Sequence, residues 1–359
     1  MSEDRGRHLT LVVPGLLGPA TANDAGGMEA ARQLSEGLSL PVLERFFSRS
    51  TTIPSDCPKP GLAALLFDCF GVAGEGPDWP VAAVTRRLDG AGADRGWWLR
   101  ADPVHLRVDM GELALLDDAG LRISMLEAEA LVAEINEQLG DAGPRLEAPT
   151  EKRWYLCFDH GPRLVTEPPW EVSGSGIGEH LPRGDDAGRW RARINDVQMI
   201  LHASPVNRER QRRGEPAINS LWLWGGGRIP RVPAGRWQGV CSDQALVRGL
   251  AGLAGATSGS LPADAHAWLA RAASPGNHLL VWSAAYVPVR CRDVDAWRRF
   301  VSAVEERWVA PLLDALKSGG VQSVSLRTGG SRDFRLRRGQ LAHWWRRARP
   351  FARVMCESR

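Results

Sequence analysis

Short apolar segments that alternate with amphipathic helices constrain the fold of this chain more than any other feature of its sequence. Three segments near the two ends of the chain, 9–13, 278–284 and 323–329, have the length and apolar content of buried strands. Segments with helical spacing lie between them, and the most regular one runs over 293–312 with its apolar residues on one stripe. This alternation predicts an α/β protein with a mainly parallel sheet flanked by helices.

The middle of the chain has a different pattern. Residues 92–188 contain a β-rich stretch, a helix, a further strand and a loop rich in glycine and proline. The helix follows Ser124, and Glu127 completes a capping box at its start. We therefore predict a small β+α domain, 92–188, inserted into an α/β core formed by 1–91 and 189–359.

Composition and charge exclude several classes of protein. The chain is 43% hydrophobic and 24% charged, which is typical of a globular protein, and its net charge of +3 gives no reason to expect a nucleic-acid partner. Six scattered cysteines contain no CxxC pair, which excludes the usual zinc spacings and favours a reducing compartment. No apolar run approaches about 20 residues, and Glu3 and Asp4 disfavour a signal peptide. We expect a cytoplasmic protein with no membrane partner.

A strand-like segment that ends in three glycines, 218–227, is the most unusual motif. It is not a Walker loop, because no Gly-Lys-Ser/Thr follows, and it is not a dinucleotide fingerprint, because Pro230 and Pro233 replace the helix. Two interpretations remain. The glycines either let the chain turn tightly over the sheet or leave room for a ligand at the carboxyl end of a strand.

The same segment takes part in a wider resemblance. Asn219–Gly227 reads N-S-L-W-L-W-G-G-G, and Pro205–Arg210 reads P-V-N-R-E-R. Together with Leu99–Asp102 and Gly74–Val84, these stretches resemble, in order, the archaeal-type, cofactor-independent phosphoglycerate mutases of the alkaline phosphatase superfamily. The resemblance implies an alkaline-phosphatase-like core with a small inserted domain. It is strongest to a degenerate bacterial branch labelled regulatory protein of the RpfE type.

The chemistry implied by this resemblance needs two metal ions at strand ends, held by Asp and His, and a Ser or Thr nucleophile. The corresponding positions here are Val13–Leu16, Gly61–Ala63, Trp282–Tyr286 and Arg327–Gly330, with only His343 remaining nearby. We therefore expect no catalytic residue, no metal and no cofactor. The resemblance then implies a catalytically inactive, regulatory protein that binds a phosphorylated small molecule, a protein partner, or both.

Seven polar residues form the predicted ligand site: Arg100, Asp102, His105, Asn207, Arg210, Asn219 and Arg228. They could hold an anion without a metal, and surface salt bridges are the alternative interpretation. A metal at Asp102, His105 and Asp109 is disfavoured, because strand spacing places 102 and 109 on opposite faces. Two other functions stay open. One is a metal-dependent phosphoglycerate mutase or phosphatase with relocated ligands, and the other is a metal-free enzyme that uses the cleft around Arg100 and Asn207.

Overall fold

The computed structural model of the protein describes residues 6–19, 25–55, 61–90, 96–109, 112–116, 121–140, 144–174, 176–272, 274–342 and 346–357. The chain divides into two compact units, with Met1–Val72 and Val232–Arg359 in unit 1 and Ala73–Arg231 in unit 2. Within the described ranges, no helix is both long enough and apolar enough to cross a membrane.

The strands are β1 (Arg7–Val12), β2 (Thr51–Pro54), β3 (Trp97–Val104), β4 (Leu106–Asp109), β5 (Glu112–Leu115), β6 (Leu146–Glu147), β7 (Tyr155–Phe158), β8 (Ser220–Gly227), β9 (Gly239–Ser242), β10 (Thr257–Gly259), β11 (Gly276–Val281), β12 (Ser323–Arg327) and β13 (Arg332–Arg337). The helices are α1 (Ala25–Ser35), α2 (Pro41–Arg49), α3 (Leu62–Cys69), α4 (Val81–Leu88), α5 (Met125–Leu139), α6 (Pro169–Val172), α7 (Ala187–Ala203), α8 (Pro205–Arg212), α9 (Ala245–Leu253), α10 (Ala265–Arg271), α11 (Tyr286–Arg290), α12 (Val294–Val304), α13 (Ala310–Ser318) and α14 (Phe351–Glu357). A π-helical segment, Glu305–Val309, joins α12 to α13.

Unit 1 is built around a seven-stranded sheet with the order β10-β9-β11-β1-β12-β13-β2. The strands from β10 to β12 run parallel, and β13 and β2 extend the sheet in antiparallel fashion. The predicted α/β class, with a large and mainly parallel sheet flanked by helices, is confirmed.

One face of this sheet carries the hydrophobic core of unit 1. Leu9 and Leu11 of β1 lie in a buried cluster with Trp297 and with other apolar residues of α1, α2, α10, α12, α13 and α14. Because successive residues of a strand point to opposite faces, His8 and Thr10 lie on the other face of the sheet. The two faces therefore differ in polarity at His8 and Thr10, whereas Val12, on the same face as these two residues, is buried and apolar.

Unit 2 is built around a four-stranded antiparallel sheet with the order β6-β7-β3-β8, and β4 and β5 form a separate hairpin. The predicted capping box is present at the start of α5, where the Ser124 hydroxyl accepts from the Glu127 N–H and the Glu127 carboxylate accepts from the Ser124 N–H. Apolar residues of α5 and α7 form one cluster with Leu99 and Leu223 of the sheet.

The Trp-Leu-Trp strand belongs to unit 2 and not to the parallel sheet. β8 pairs with β3 in antiparallel register, with Trp222 opposite Asp102 and Trp224 opposite Arg100. The expected inserted domain, 92–188, lies inside unit 2, which also includes α4, α7, α8 and β8. The sequence placed β8 in the α/β core and the structure places it in unit 2, because a buried apolar strand has the same sequence pattern in a parallel and an antiparallel sheet.

The triple glycine at the end of β8 allows close packing within unit 2. A Cβ at Gly226 would lie 2.2 Å from Cη2 of Trp97, and one at Gly227 would lie 2.5 Å from Cβ of Pro80. Protein atoms therefore fill the space beside these glycines. Of the two interpretations of these glycines, the packing of β8 against Trp97 and Pro80 favours the one in which the glycines let the chain pack tightly.

Candidate functional site

Arg100 and Asp102 of β3 form a buried ion pair inside unit 2. Two hydrogen bonds of 2.7 Å join the Arg100 Nε and Nη2 atoms to the two carboxylate oxygens. The guanidinium lies over the rings of Tyr155 and Trp224, and Asp102 also accepts from Trp224 Nε1 at 2.7 Å and from the Trp154 N–H at 3.3 Å. Burial raises the pKa of Asp102, and the charge of Arg100 opposes that shift. These contacts engage both residues within the sheet.

Asn207 and Asn219 hold backbone segments together. The Asn207 amide donates to the carbonyls of Leu201 and Ile218 at 2.7 Å and accepts from the Ile218 N–H at 2.8 Å. The Asn219 amide accepts from the N–H of Leu106 at 2.7 Å and donates to its carbonyl at 2.8 Å. The geometry gives both asparagines of the resemblance a structural role.

Arg210 is completely buried at the end of α8. Its Nη1 atom lies 3.1 Å from a carboxylate oxygen of Glu127 and 3.6 Å from one of Glu215. Burial alone would raise the pKa of Glu127, but hydrogen bonds from Ser124 and the charge of Arg210 hold it below its usual value. Arg210 thus joins α8 to the start of α5.

A cavity of about 400 Å³ in unit 2 brings together three of the seven predicted residues. Its polar lining residues are His105, Gln198, His202, Asn207, Gln211 and Asn219. The other four predicted residues do not line it, and Arg228 is exposed and donates to the backbone oxygen of Asp159. Gln198 and His202 line the cavity but are not among the seven predicted residues, although their spacing of four residues on α7 places them on one helix face.

In unit 1, the carboxyl ends of β1, β11 and β12 lie side by side. Val12 is the register neighbour of both Val281 and Arg327. Val13 follows β1 and is fully buried, and α3 begins with the buried Leu62. Apolar side chains and one arginine therefore occupy the strand ends where the resemblance implied acids and imidazoles.

Arg327, at the end of β12, lies at the centre of a charged network. Its Nε donates to Asp333 and its Nη2 to Asp68, both at 2.7 Å, and its Nη1 lies 3.3 Å from the Cys69 sulfur. Burial raises the pKa of the Cys69 thiol to about 11, and the charge of Arg327 opposes that shift. The network places a fixed cation between two carboxylates. In the sequence, Arg327 is visible only as an arginine where the resemblance implied an acid.

Comparisons with known proteins agree with the resemblance to cofactor-independent phosphoglycerate mutases. A family model described as 2,3-bisphosphoglycerate-independent phosphoglycerate mutase matches residues 91–207. The chain is 30% identical over 182 residues to a probable 2,3-bisphosphoglycerate-independent phosphoglycerate mutase from Geobacter sulfurreducens, covering 49% of this chain and 45% of that protein. It is 31% identical over 182 residues to such a mutase from Methanothrix thermoacetophila, covering 46% of this chain and 45% of that protein. The chain thus matches less than half the length of these relatives.

A solved structure supports the fold. The PH0037 protein from Pyrococcus horikoshii superposes with a TM-score of 0.55 at 14% identity, covering 92% of this chain and 86% of that one. Such low identity shows the architecture alone. The matches in sequence and in fold together support a phosphoglycerate-mutase-like protein, and the family-model match lies wholly within unit 2.

Proposed function

We propose that this protein is a catalytically inactive phosphoglycerate-mutase-like protein that acts by binding, in a regulatory role. The observation that carries the proposal is the network around Arg327. A guanidinium that stays protonated at any physiological pH occupies the end of β12, and it engages Asp68 and Asp333, the carboxylates nearest to it. A second cation at this place would meet electrostatic repulsion.

The donor chemistry of the strand ends does not fit a pair of divalent metal ions. Such ions need several oxygen, nitrogen or sulfur donors that converge at about 2 Å. Among the described residues, no three His, Cys, Asp or Glu side chains are grouped so that they could hold a metal ion. His343, the one histidine that the sequence left near this region, lies outside the described residues. The strand ends therefore do not supply a ligand set for a metal-dependent step.

The test of this proposal combines metal analysis with an activity assay. Cells that express the protein are grown with added manganese and zinc, and the metal content of the purified protein is measured by mass spectrometry. Interconversion of 3- and 2-phosphoglycerate is then followed in the presence of each metal. We expect substoichiometric metal and no turnover above background. A 2,3-bisphosphoglycerate-independent mutase from Geobacter or Methanothrix, assayed in parallel, shows that the assay works.

Metal-dependent turnover that survives repurification would overturn the proposal. It would favour a phosphoglycerate mutase or phosphatase whose metal ligands have moved to other positions. Arg327→Met provides the matched variant for that case. If Asp68 and Asp333 belong to an active site, removal of the Arg327 charge should change the rate of turnover. If the protein is inactive, neither the wild type nor Arg327→Met should show turnover.

A further inference from the structure

The face of the unit 1 sheet that carries His8 and Thr10 is polar near the starts of β1, β11 and β12 and along β13. One row of paired polar residues, Asn277–His8–Ser323–Arg337, runs from β11 to β13, and a second row, Thr10–Ser325–Arg335, runs from β1 to β13. Interior strands of a mainly parallel sheet are usually apolar on both faces, because helices cover both. Packing therefore does not explain these two rows.

The polar face carries an excess of positive charge. A cleft over it is lined by four arginines and two aspartates: Arg236, Arg327, Arg335, Arg337, Asp68 and Asp333. Both aspartates are bound to Arg327. Within the described part of the chain, the other three arginines have no carboxylate within ion-pair distance, and Arg335 donates only through its Nε to the Ser325 hydroxyl at 3.1 Å. Three guanidinium groups are thus available to a ligand.

The cleft has the size of a small-molecule site. Its volume is about 630 Å³, within the range of about 300 to 1,000 Å³ that is usual for ligand pockets. One wall contains Arg236 and Trp237, and the Trp237 indole donates to the backbone oxygen of Cys69 at 2.9 Å. Ile53 of β2 and Asp68 of α3 line other parts of the cleft.

We propose that this cleft binds a small ligand that carries at least two phosphate groups. Arg335 and Arg337 are two residues apart on β13, which places their backbones about 7 Å apart on the same face and lets each meet a separate phosphate. Guanidinium groups bind phosphate oxygens through two parallel hydrogen bonds, and the hydroxyls of Thr10, Ser323 and Ser325 supply further donors. The proposal rests on the proposed function only for the premise that the chain acts by binding.

Two larger partners fit the cleft less well. Single-stranded nucleic acid needs aromatic rings on which bases stack, but Phe334 is 2% exposed and the Arg236 guanidinium lies 5.6 Å from the Trp237 ring centre. A peptide that adds as a strand needs a free sheet edge, whereas the backbones of β1, β12 and β13 pair with one another beneath the cleft. The charge and shape favour a compact polyphosphate.

The experiment is a calorimetric titration of the full chain with inorganic pyrophosphate at low salt. Arg335→Ser/Arg337→Ser removes two cleft charges, and Arg248→Ser/Arg299→Ser removes two exposed charges of α9 and α12 outside the cleft. We expect saturable 1:1 binding by the wild type, affinity about tenfold lower or worse in the cleft variant, and no change in the control. Added salt should weaken the wild-type affinity.

Three results would overturn the proposal: no saturable binding by the wild type, equal weakening in the control variant, or tighter binding of a single-stranded oligonucleotide or an acidic peptide through the same two arginines. Circular dichroism verifies the fold of each variant. The variant Arg335→Lys/Arg337→Lys keeps both charges but loses the forked geometry of the guanidinium groups. It should bind pyrophosphate with an affinity between those of the wild type and the serine variant. Failure here is distinct from failure of the proposed function, since mutase turnover is measured without pyrophosphate.

Discussion

Arg327 of β12 lies directly opposite Asp333 of β13 in the antiparallel register, and their side chains meet at 2.7 Å between Nε and Oδ2. Asp68 reaches the same guanidinium from α3 at 2.7 Å. The three side chains retain between 10% and 28% of their exposure, so water screens the charges only in part. The guanidinium therefore joins a helix and two strands at the end of the parallel sheet.

Arg327→Met should lower the free energy of unfolding by about 3 kcal/mol, because it leaves two partly buried carboxylates without their cation. Urea denaturation at pH 7 measures the loss. Arg335→Met, an exposed arginine on the neighbouring strand, should change the free energy by about 0.5 kcal/mol or less. A loss below about 1 kcal/mol for Arg327→Met would show that the network contributes little to stability.

The Cys69 thiol should resist alkylation in the native protein. Its pKa of about 11 leaves about one thiolate per thousand molecules at pH 8, and the side chain is 1% exposed. Labelling with iodoacetamide at pH 8, followed by peptide mass spectrometry, should modify the exposed Cys291 first and Cys69 only after unfolding in urea. Equal labelling rates in the folded protein would contradict the burial of Cys69.

The fold was predictable where elements repeat a strong local pattern. The capping box at Ser124 and the buried first strand follow from residues close in sequence, and both are present. The sheet to which β8 belongs was not predictable, because Trp222 and Trp224 would be buried in either sheet. The sheet to which β8 belongs is decided only by its pairing with β3, which lies more than 100 residues earlier in the sequence.

The candidate sites show the same limit. The apolar character of the strand ends could be read directly at Val13. The network around Arg327 could not, because Asp68 is 259 residues away in sequence. Similarly, the alternation of Ser323, Ser325 and Arg327 shows that one face of β12 is polar, but its alignment with the arginines of β13 depends on the strand register.

Gly225→Ala should destabilise unit 2 more than Gly214→Ala does. Both glycines have left-handed φ angles, +68° and +74°, so alanine is strained by about 1 kcal/mol at either position. At Gly225 the added Cβ would also lie 3.1 Å from Cβ of Val81, whereas nothing lies within 4 Å at Gly214. We expect about 1 to 3 kcal/mol of additional loss at Gly225, measured by urea denaturation. Equal losses would mean that the backbone angle alone requires glycine there.

Glu305 should make the stability of the protein depend on pH in a predictable direction. Its carboxylate is 5% exposed and accepts the N–H groups of Val42 and Leu43 at the start of α2, at 2.8 and 2.7 Å. Burial raises the pKa of Glu305 above its ordinary 4.5, and the two N–H groups oppose that shift only in part. The folded protein therefore holds this proton more tightly than the unfolded chain does.

Because the folded-state pKa is raised, the stabilising contribution of Glu305 is complete below its ordinary pKa and is lost as the pH rises through the folded-state pKa. Glu305→Gln has no proton to lose, so its free energy of unfolding relative to the wild type should increase between pH 5 and pH 8. The loss of one hydrogen-bond acceptor in the variant adds an offset that does not change with pH. Urea denaturation across this range measures the trend, with the exposed Glu36→Gln as the control variant. A relative stability that stays constant from pH 5 to pH 8 would contradict this prediction, because it would mean that the α2 N–H groups offset burial and that the pKa of Glu305 is not raised.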